Sequence, residues 1–368
     1  MKTHKKNVLF LLCICLCLTA LTACGGQEEE PVPDIPSATP SPTTLTPATP
    51  SPLPSATPES GFVNPLTGQM MPRDIASRRP AAVMLNNMKK ALPMFGVSQA
   101  DIIYELLAEG GITRLVGVYQ DPLNVPQIGS VRSTRAYYLD VAEGHDAILL
   151  HAGGSYEATN LIKSRGMTTL DCLTGGWEGT LYWRDKDRIK NAGLEHSAFT
   201  SGERIEEAFS NLKSRTEHEP GYALPLVFAD DGTPSLGEPA ESVAVVFSSY
   251  KTGEFTYNPE TKLYETAQYG KPFLDGQDDA QVMVTNIVIL RTDVSVIKGD
   301  TAGRLQTRMT GTGNGIFICG GKSIPILWSK KSATDPFVYT LSDGTPLTLG
   351  KGKSYINIVP ENCKVTIS

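Results

Sequence analysis

The sequence predicts a mixed α+β protein, in which an N-terminal α/β domain precedes a smaller β-rich domain. In the first half, the apolar runs Ala81–Leu85 and Ala147–Leu150 have the length of buried strands, and a predicted helix follows the second. In the second half, short strand-like runs alternate with turn residues, which is typical of a β-meander, sandwich or partial barrel. We expect domains at residues 61–220 and 240–368, joined by a linker rich in proline and glycine at residues 221–239.

Residues 1–23 have the features of a bacterial lipoprotein signal peptide. Three early lysines precede an apolar run, Val8–Leu18, that is too short to span a bilayer as a stable helix. The segment ends in Leu-Thr-Ala, and Cys24 follows at the position where a lipobox cysteine takes the lipid. The sequence therefore predicts a protein anchored in the lipid bilayer through acylated Cys24, on the extracytoplasmic face of the cell membrane.

Residues 24–60 form a predicted linker behind the anchor. Ten of the 26 prolines of the chain fall between Pro31 and Pro58, among serine, threonine and alanine, with no lysine or arginine. Such a segment cannot bury a core, and we expect it to be extended, partly as polyproline II. It would hold the folded part of the protein away from the membrane.

The composition argues against nucleic acid as a partner and against a metal site. The formal net charge is −6, and no lysine- or arginine-rich block follows the signal peptide, whereas nucleic-acid binding needs clustered positive charge. The cysteines left after the anchor, Cys172, Cys319 and Cys363, are far apart and have no metal-ligand spacing. We expect no metal, no cofactor and at most one disulfide.

Two runs of alternating apolar residues, one on each side of Gly110-Gly111, predict a β-hairpin. A helix that begins near Ser98 is the alternative, because a serine with an acid three residues later resembles a capping box. The hairpin would bring four polar side chains to one end of the sheet: Glu105, Glu109, Thr113 and Arg114. Glu105 or Glu109 could then act as an acid or base, whereas a cross-strand charge pair is the structural alternative.

Residues 128–155 place Arg132, Arg135, His145 and His151 in a short, otherwise apolar run that glycines interrupt. A helix is predicted from about Ser133 to Gly144, and it places Arg132 and Arg135 at its N-terminal end. Cations there oppose the helix dipole, so an anion held by the guanidinium and free N–H groups would explain them. Pairing with nearby carboxylates such as Asp140 is the structural alternative.

A glycine loop follows the second buried strand of the first half. It runs from His151 to Ser155, and Ser155 is the predicted N-cap of a helix over Tyr156–Ser164. Backbone N–H groups in such loops approach anions closely, although the sequence is neither a Walker loop nor a nucleophile elbow. His196, which precedes a predicted helix over Gly202–Lys213, could join His151 at one cleft. The predicted ligand-binding residues are Arg132, Ser133, Arg135, His151, Gly153, Gly154, Ser155 and His196.

Several motifs resemble the YerB-like family of bacterial lipoproteins: Asn64–Gly68, Arg79–Asn87, Ala100–Glu105, Glu109–Arg114 and Ile128–Arg135. The resemblance extends over residues 62–360 and implies a mixed α/β N-terminal domain and a smaller β-rich C-terminal domain, without implying an activity. Two positions depart from the family pattern. Glu195-His196-Ser197 stands where relatives have Pro-His-Asn, and Phe273-Leu274-Asp275 stands where many have His-x-Asp. A catalytic scheme that needs the latter histidine does not carry over.

Three functions are compatible with the sequence. The first is a binding protein whose cleft holds an anionic ligand, such as a cell-wall glycan fragment or a polyol phosphate. The second is a hydrolase of the same polymer, with Glu105 or Glu109 as acid or base and His151 or His196 as proton shuttle. The third is a non-catalytic assembly factor that binds another envelope protein.

Overall fold

The computed structural model describes residues 61–368, so the predicted signal peptide, the lipidation site Cys24 and the linker lie outside the described residues. Within this range, the α-helices are α1 (Ala136–Gly144), α2 (Tyr156–Arg165), α3 (Lys186–Asn191) and α4 (Gly202–Ser210). None of them is long and apolar enough to cross a membrane. Strands outnumber helices, which confirms the mixed, strand-rich fold class.

The strands are short and follow one another along both halves of the chain. In the first half they are β1 (Phe62–Val63), β2 (Met70–Met71), β3 (Ala81–Asn86), β4 (Ile102–Leu107), β5 (Thr113–Tyr119), β6 (Ile128–Gly129), β7 (Ile148–His151), β8 (Thr169–Asp171), β9 (Trp183–Arg184) and β10 (Ala198–Thr200). In the second half they are β11 (Val227–Ala229), β12 (Glu238–Pro239), β13 (Ser242–Val246), β14 (Thr252–Asn258), β15 (Leu263–Gln268), β16 (Lys271–Pro272), β17 (Met283–Val284), β18 (Asn286–Thr292), β19 (Val294–Val296), β20 (Leu305–Thr307), β21 (Gly311–Cys319), β22 (Lys322–Lys330), β23 (Val338–Thr340), β24 (Thr348–Gly350), β25 (Ser354–Pro360) and β26 (Lys364–Ile367).

One large sheet dominates the fold. Its eleven strands run in the order β12-β22-β21-β18-β25-β4-β5-β3-β7-β8, and β23 pairs with β22. Strand β3 lies inside the sheet and is buried along its whole length. Val83 and Leu85 pack into one apolar cluster, while Ala82 and Met84 pack into the other. A strand covered on both faces needs a continuous apolar sequence, which explains the uninterrupted run at this position.

The large sheet contains strands from both halves of the chain. Strand β25 pairs in parallel with β4, and their register places Asn357 opposite Glu105. A second sheet, of order β16-β15-β14-β13-β26 with β17 beside β15, belongs to the second half. The predicted linker at residues 221–239 therefore lies between segments whose strands share a sheet, and the domain boundaries stay a prediction.

The predicted hairpin is β4–β5, an antiparallel pair. Its turn contains Gly110 and Gly111, both with positive φ, a backbone region that glycine enters without a steric penalty. The glycine-rich segment Gly311–Gly315 is part of strand β21. The indole of Trp328 on the neighbouring strand lies so close to Gly313 that a side chain there would collide with it. These glycines leave room for a large side chain across the strand.

Two predicted helices have different bounds in the structure. Helix α1 begins at Ala136, after the predicted start, because long-range pairings hold the preceding residues extended: the N–H of Arg132 donates to the carbonyl of Met84, and the N–H of Thr134 donates to that of Gly153. Helix α4 ends at Ser210, before the predicted Lys213. Helix α2 agrees with the prediction, since it begins at Tyr156 with Ser155 as its N-cap.

Candidate functional site

The candidate site lies at the edge of the large sheet where the parallel strands β3, β7 and β8 end. These strands place Asn86, His151 and Asp171 at their carboxyl ends, and the register sets His151 opposite Asp171. Strand β5 runs the other way and contributes Arg114, which lies opposite Asn86. Ligands of open α/β sheets commonly bind beyond the carboxyl ends of the strands, so a ligand is expected at this edge.

An extended segment, residues 130–135, crosses this edge and joins its parts. The N–H of Asn86 donates to the carbonyl of Ser130 at 2.9 Å, and the N–H of Val131 donates to that of Ala198 at 2.7 Å. On the other side, the hydroxyl of Ser133 donates to the carbonyl of Ala152 at 2.8 Å. The segment therefore brings the ends of β3, β7 and β10 together and presents Arg132 and Arg135 from a fixed backbone.

Two guanidinium groups contact one carboxylate here, and a third guanidinium group lies nearby. Glu109, from the β4–β5 turn, accepts from both Nε and Nη2 of Arg135, the latter at 3.0 Å. Arg114 lies on the other side of Glu109, with its Nη2 atom 3.7 Å from Oε2, and donates from Nη1 to the carbonyl of Ser133 at 2.7 Å. Arg132 donates from Nη1 to the carbonyl of Glu195 at 3.1 Å. We call Arg114, Arg132, Arg135 and Glu109 the arginine cluster.

The arginine cluster contains buried donors without acceptors. The Nε atoms of Arg114 and Arg132 are buried and have no hydrogen-bond partner among the residues that the structure describes. Arg114 is 4% exposed. A buried donor that finds no acceptor loses its hydration without compensation, at a cost of about 1–3 kcal/mol or more for a charged group. The two N–H groups are therefore free to donate to an acceptor that is not part of residues 61–368.

The pKa values of Arg114, Arg132 and Glu109 are all lowered, although for different reasons. Burial, together with the nearby charge of Arg114, lowers the pKa of Arg132 to about 10. Burial and the charge of Arg135 lower the pKa of Arg114 as well. Burial alone would raise the pKa of Glu109, but the hydrogen bond and charge of Arg135 outweigh it and lower that pKa. At neutral pH all three arginines are charged, and they repel one another.

The imidazole of His196 is fixed in one tautomer. Oδ1 of Asn86 accepts from the N–H of Met88, so the amide nitrogen of Asn86 faces His196 and donates to its Nδ1 atom at 2.7 Å. The proton of the neutral ring is then on Nε2, which lies 3.4 Å from Oε1 of Glu195. Burial and the charge of Arg132 lower the pKa of His196. His196 thus borders the arginine cluster as a neutral group.

His151 is the second histidine of this edge, on the far side of residues 130–135. Its Nδ1 atom lies 2.9 Å from the carbonyl oxygen of Gly153, which can only accept, so Nδ1 holds the proton. Oδ1 of Asp171 is 3.7 Å from the same nitrogen. Nε2 is buried and has no partner within residues 61–368. Burial lowers the pKa of His151, so the ring is a neutral acceptor at this position.

The polar groups of the glycine loop are largely used inside the protein. The N–H of Gly153 donates to Asp171 at 2.7 Å, and the hydroxyl of Ser155 accepts from the N–H of Ala158 at 3.1 Å. Gly154 packs against the methyl group of Thr134. The structure therefore brings Gly153, Gly154 and Ser155 to the same edge as the arginine cluster, while guanidinium groups are the donors that remain free for a ligand.

Glu105 and Glu109, the two predicted acid or base residues, lie in different surroundings. Glu109 belongs to the arginine cluster, whereas Glu105 is fully buried and pairs with Lys251, whose Nζ atom is 3.0 Å away. Asn87 donates to Glu105 at 2.9 Å, and its neighbour Asn86 binds His196. Because Asn86 and Asn87 are neighbours in the chain, they connect the arginine cluster, which His196 borders, with the buried surroundings of Glu105.

The sequence did not single out Arg114, Asn86 or Asp171 as site residues. Arg114 was placed at the end of the predicted hairpin, and its register opposite Asn86 was the signal that could have brought it into the site. Asp171 ends the short strand β8, which was not predicted from the sequence. The role of Lys251 could not be predicted from neighbouring residues, because its partner Glu105 belongs to a different sheet.

A cavity of about 450 Å³ lies near the opposite ends of β3 and β7. It also contains arginines, but each of them is matched by carboxylates: Arg79 and Arg215 contact Asp146, and Arg165 contacts Asp140 and Glu143. Positive charge is balanced there, whereas in the arginine cluster it is in excess. This difference favours the arginine cluster as the anion site.

Comparisons with known proteins place the chain in a family. Residues 66–215 match the N-terminal domain of a protein family of unknown function, DUF3048, and residues 243–356 match its C-terminal domain. A protein of Bacillus subtilis (strain 168) named "Putative lipoprotein YerB" is 30% identical over 311 residues, which are 83% of this chain and 88% of that protein. The crystal structure of YerB from Bacillus subtilis superimposes with a TM-score of 0.71 at 28% identity and covers 83% of this chain and 99% of that one.

Proposed function

We propose, from the premise that this chain belongs to the DUF3048 family together with YerB, that it is a lipid-anchored protein on the extracytoplasmic face of the cell membrane and binds an anionic ligand of the cell envelope. The ligand would be a polyol phosphate or an anionic cell-wall glycan fragment. It would sit against Arg114, Arg132 and Arg135, with His151 and His196 at its flanks.

The excess of positive charge in the arginine cluster supports this proposal. Arg114 and Arg135 share the carboxylate of Glu109, and Arg132 donates to the backbone carbonyl of Glu195. Arg114 and Arg132 each keep a buried N–H without an acceptor among the described residues. Uncompensated charge in a poorly hydrated place costs free energy, so such an arrangement persists only where something compensates it. An oxyanion would supply both the missing charge and the missing acceptors.

Phosphate and carboxylate suit this geometry because each has several oxygens for the planar guanidinium fork. The neutral histidines add recognition of a different kind. Nε2 of His151 accepts, and Nε2 of His196 donates, so the two rings could hold the hydroxyl groups of a polyol or sugar. A ligand with an anionic group and neighbouring hydroxyls therefore fits the site best.

Thermal unfolding of residues 25–368, which include all described secondary structure, tests the proposal. The probes are inorganic phosphate, glycerol 3-phosphate, and glycerol at the same concentration. At about a hundred times its dissociation constant, a ligand adds ~2.7 kcal/mol to the free energy of unfolding, which raises the melting temperature by several degrees. We expect a shift with glycerol 3-phosphate, a smaller one with phosphate and none with glycerol.

Two variants locate the effect. Arg132→Ala removes one guanidinium of the cluster, and Arg304→Ala removes a partly exposed arginine that is bound to Asp300. The shift should disappear in the first and persist in the second. Equal shifts in both variants, or none with any anionic envelope fragment, would contradict the proposal; the second outcome would favour a protein partner, as expected of an assembly factor.

A hydrolase that uses the same cleft is the second candidate. The observation that favours it is His151, whose buried Nε2 atom can accept a proton while Nδ1 faces Gly153 and Asp171. Turnover would appear as release of glycerol phosphate from an envelope polymer. It should be abolished in His151→Ala, while the thermal shift with glycerol 3-phosphate persists in that variant. Binding without turnover in the wild-type chain would leave only the first candidate.

A further inference from the structure

Lys251, Glu105 and Asn87 form an enclosed polar triad within the described residues. Lys251 is 1% exposed and the other two are 0% exposed. Nζ of Lys251 lies 3.0 Å from Oε1 of Glu105, and the amide nitrogen of Asn87 donates to the same oxygen at 2.9 Å. One carboxylate oxygen thus touches both an amine and a carboxamide nitrogen in the interior of the protein.

Aromatic rings and hydroxyls surround the triad. The rings of Phe247 and Tyr269 have their centroids 5.9 and 5.6 Å from Nζ of Lys251. Tyr355 donates to Oε2 of Glu105 at 2.6 Å, and Tyr269 donates to the backbone carbonyl of Asn87 at 2.7 Å. These contacts fix the carboxylate and the backbone next to the carboxamide, and they exclude bulk water.

Only the amide nitrogen of the Asn87 carboxamide has hydrogen-bond partners among the described residues. Its amide nitrogen binds Glu105 and the hydroxyl of Thr113, whereas its Oδ1 atom is buried and has no donor among residues 61–368. A full set of partners would be expected for a structural asparagine in such a place. The nitrogen is therefore in contact with a group that can protonate it, while the carbonyl is left unengaged.

We propose that Lys251 and Asn87 form an intramolecular isopeptide bond, with Glu105 as the acid–base group. This inference is independent of the proposed function. It concerns a modification of the chain itself, in a region that the anionic ligand does not touch.

The reaction balances without an oxidant or a cofactor. Glu105 takes a proton from the ammonium of Lys251. The free amine attacks Cγ of Asn87, and Glu105 passes the proton to the amide nitrogen with which it is in contact. Glu105 then takes the surplus proton from the attacking nitrogen and gives it to the departing ammonia. The Cγ–Nδ2 bond breaks and the Nζ–Cγ bond forms. Lysine ammonium and asparagine amide become an isopeptide and an ammonium ion, and Glu105 ends as it began.

The bond would join two parts of the chain that the cysteines do not connect. Asn87 follows β3, and Lys251 lies between β13 and β14, in a turn that also contacts the β4–β5 turn through a 2.6 Å hydrogen bond from Ser248 to the carbonyl of Gly111. Cys172, Cys319 and Cys363 are free in the described part of the chain. An isopeptide would be a covalent tie between the regions that match the N-terminal and C-terminal family domains.

Intact mass under denaturing conditions tests the proposal on residues 25–368. We expect the wild-type chain to be lighter than its sequence by the mass of one ammonia. Lys251→Met and Glu105→Gln should each have their full sequence mass, which can be read even if a variant folds poorly. Lys330→Met is the matched control, because Lys330 is equally buried but contacts backbone carbonyls of Ala333 and Asp335. The Lys330→Met chain should still be lighter than its sequence by one ammonia.

Peptide mapping separates the isopeptide from other losses of ammonia. Trypsin should fail to cut after Lys251, and one peptide should contain residues 87 and 251 on two joined chains. A wild-type chain at full sequence mass would overturn the proposal. So would a loss of ammonia confined to the peptide of Asn87, which indicates a succinimide, or a loss of water, which indicates a bond between Lys251 and Glu105.

Discussion

The β4–β5 hairpin supplies a carboxylate to each of two neighbouring regions, and the two differ in charge balance. Glu109 contacts the guanidinium groups of Arg114 and Arg135 at the rim of the sheet, and Arg132 lies nearby. Glu105, four residues earlier, faces one ammonium and accepts hydrogen bonds from Asn87, Thr113 and Tyr355. The first region has positive charge in excess and unused donors; the second has one charge of each sign and is closed to solvent.

The comparison indicates how to distinguish a binding site from an internal network when both contain ion pairs. A matched, enclosed pair needs nothing from outside, so its consequences are stability and, in our proposal, a covalent bond. An unmatched cluster at the carboxyl ends of parallel strands needs a counter-ion. The two regions touch through Asn86-Asn87, so a change in one should be tested for its effect on the other.

The largest effect is expected from breaking the enclosed pair. Lys251→Met leaves Glu105 buried with neither an ammonium partner nor the proposed isopeptide bond beside it, and we expect the free energy of unfolding to fall by at least about 3–5 kcal/mol. Urea denaturation at neutral pH measures the loss. Adding Glu105→Gln to Lys251→Met should restore part of it, because the uncompensated carboxylate is then gone.

Lys351→Met is the surface control for that experiment. Lys351 pairs with Asp230, and both side chains are exposed, so its loss should change stability by less than about 1 kcal/mol. Similar losses for Lys251→Met and Lys351→Met would remove the distinction between an enclosed pair and an exposed one.

A smaller effect of opposite sign is expected at the rim. Glu109→Gln removes the one carboxylate that competes with a ligand for Arg114 and Arg135, so the affinity for glycerol 3-phosphate should rise by about three- to tenfold, ~1 kcal/mol. Titration calorimetry measures this change. Glu207→Gln, on the exposed side of α4, should leave the affinity as it is. Weaker binding in Glu109→Gln would mean that Glu109 positions the arginines for the ligand.

The same variant should be less stable than the wild type at neutral pH. The pKa of Glu109 is lowered in the folded protein, since the hydrogen bond and charge of Arg135 outweigh the effect of burial. A lowered carboxyl pKa stabilises the fold above the unfolded-state pKa, and this contribution is lost as the pH falls through the folded-state pKa. The stability difference between Glu109→Gln and wild type should therefore narrow on acidification, in urea denaturation followed at several pH values.

The sequence predicted the strands and the hairpin because their signals are local. Alternation and glycine placement are visible within a few residues, and so is the N-cap Ser155. The late start of α1 was not predictable in this way, since residues 130–135 are held extended by carbonyls of β3 and of the loop after β7. The ion pair of Glu105 with Lys251 was not predictable either, because the two side chains meet only when the sheets have folded.

The smallest effect concerns Ser155, which the sequence placed among the ligand-binding residues. Its hydroxyl accepts from the N–H of Ala158 and so satisfies one of the free donors at the start of α2. We expect Ser155→Ala to lower the free energy of unfolding by about 1 kcal/mol and to leave the affinity for glycerol 3-phosphate unchanged. Ser201→Ala, which removes the corresponding cap of α4, is the matched control, with a similar loss of stability. A loss of affinity in Ser155→Ala alone would extend the binding site from the arginine cluster into the glycine loop, whereas equal behaviour of the two variants would restrict it to the guanidinium groups.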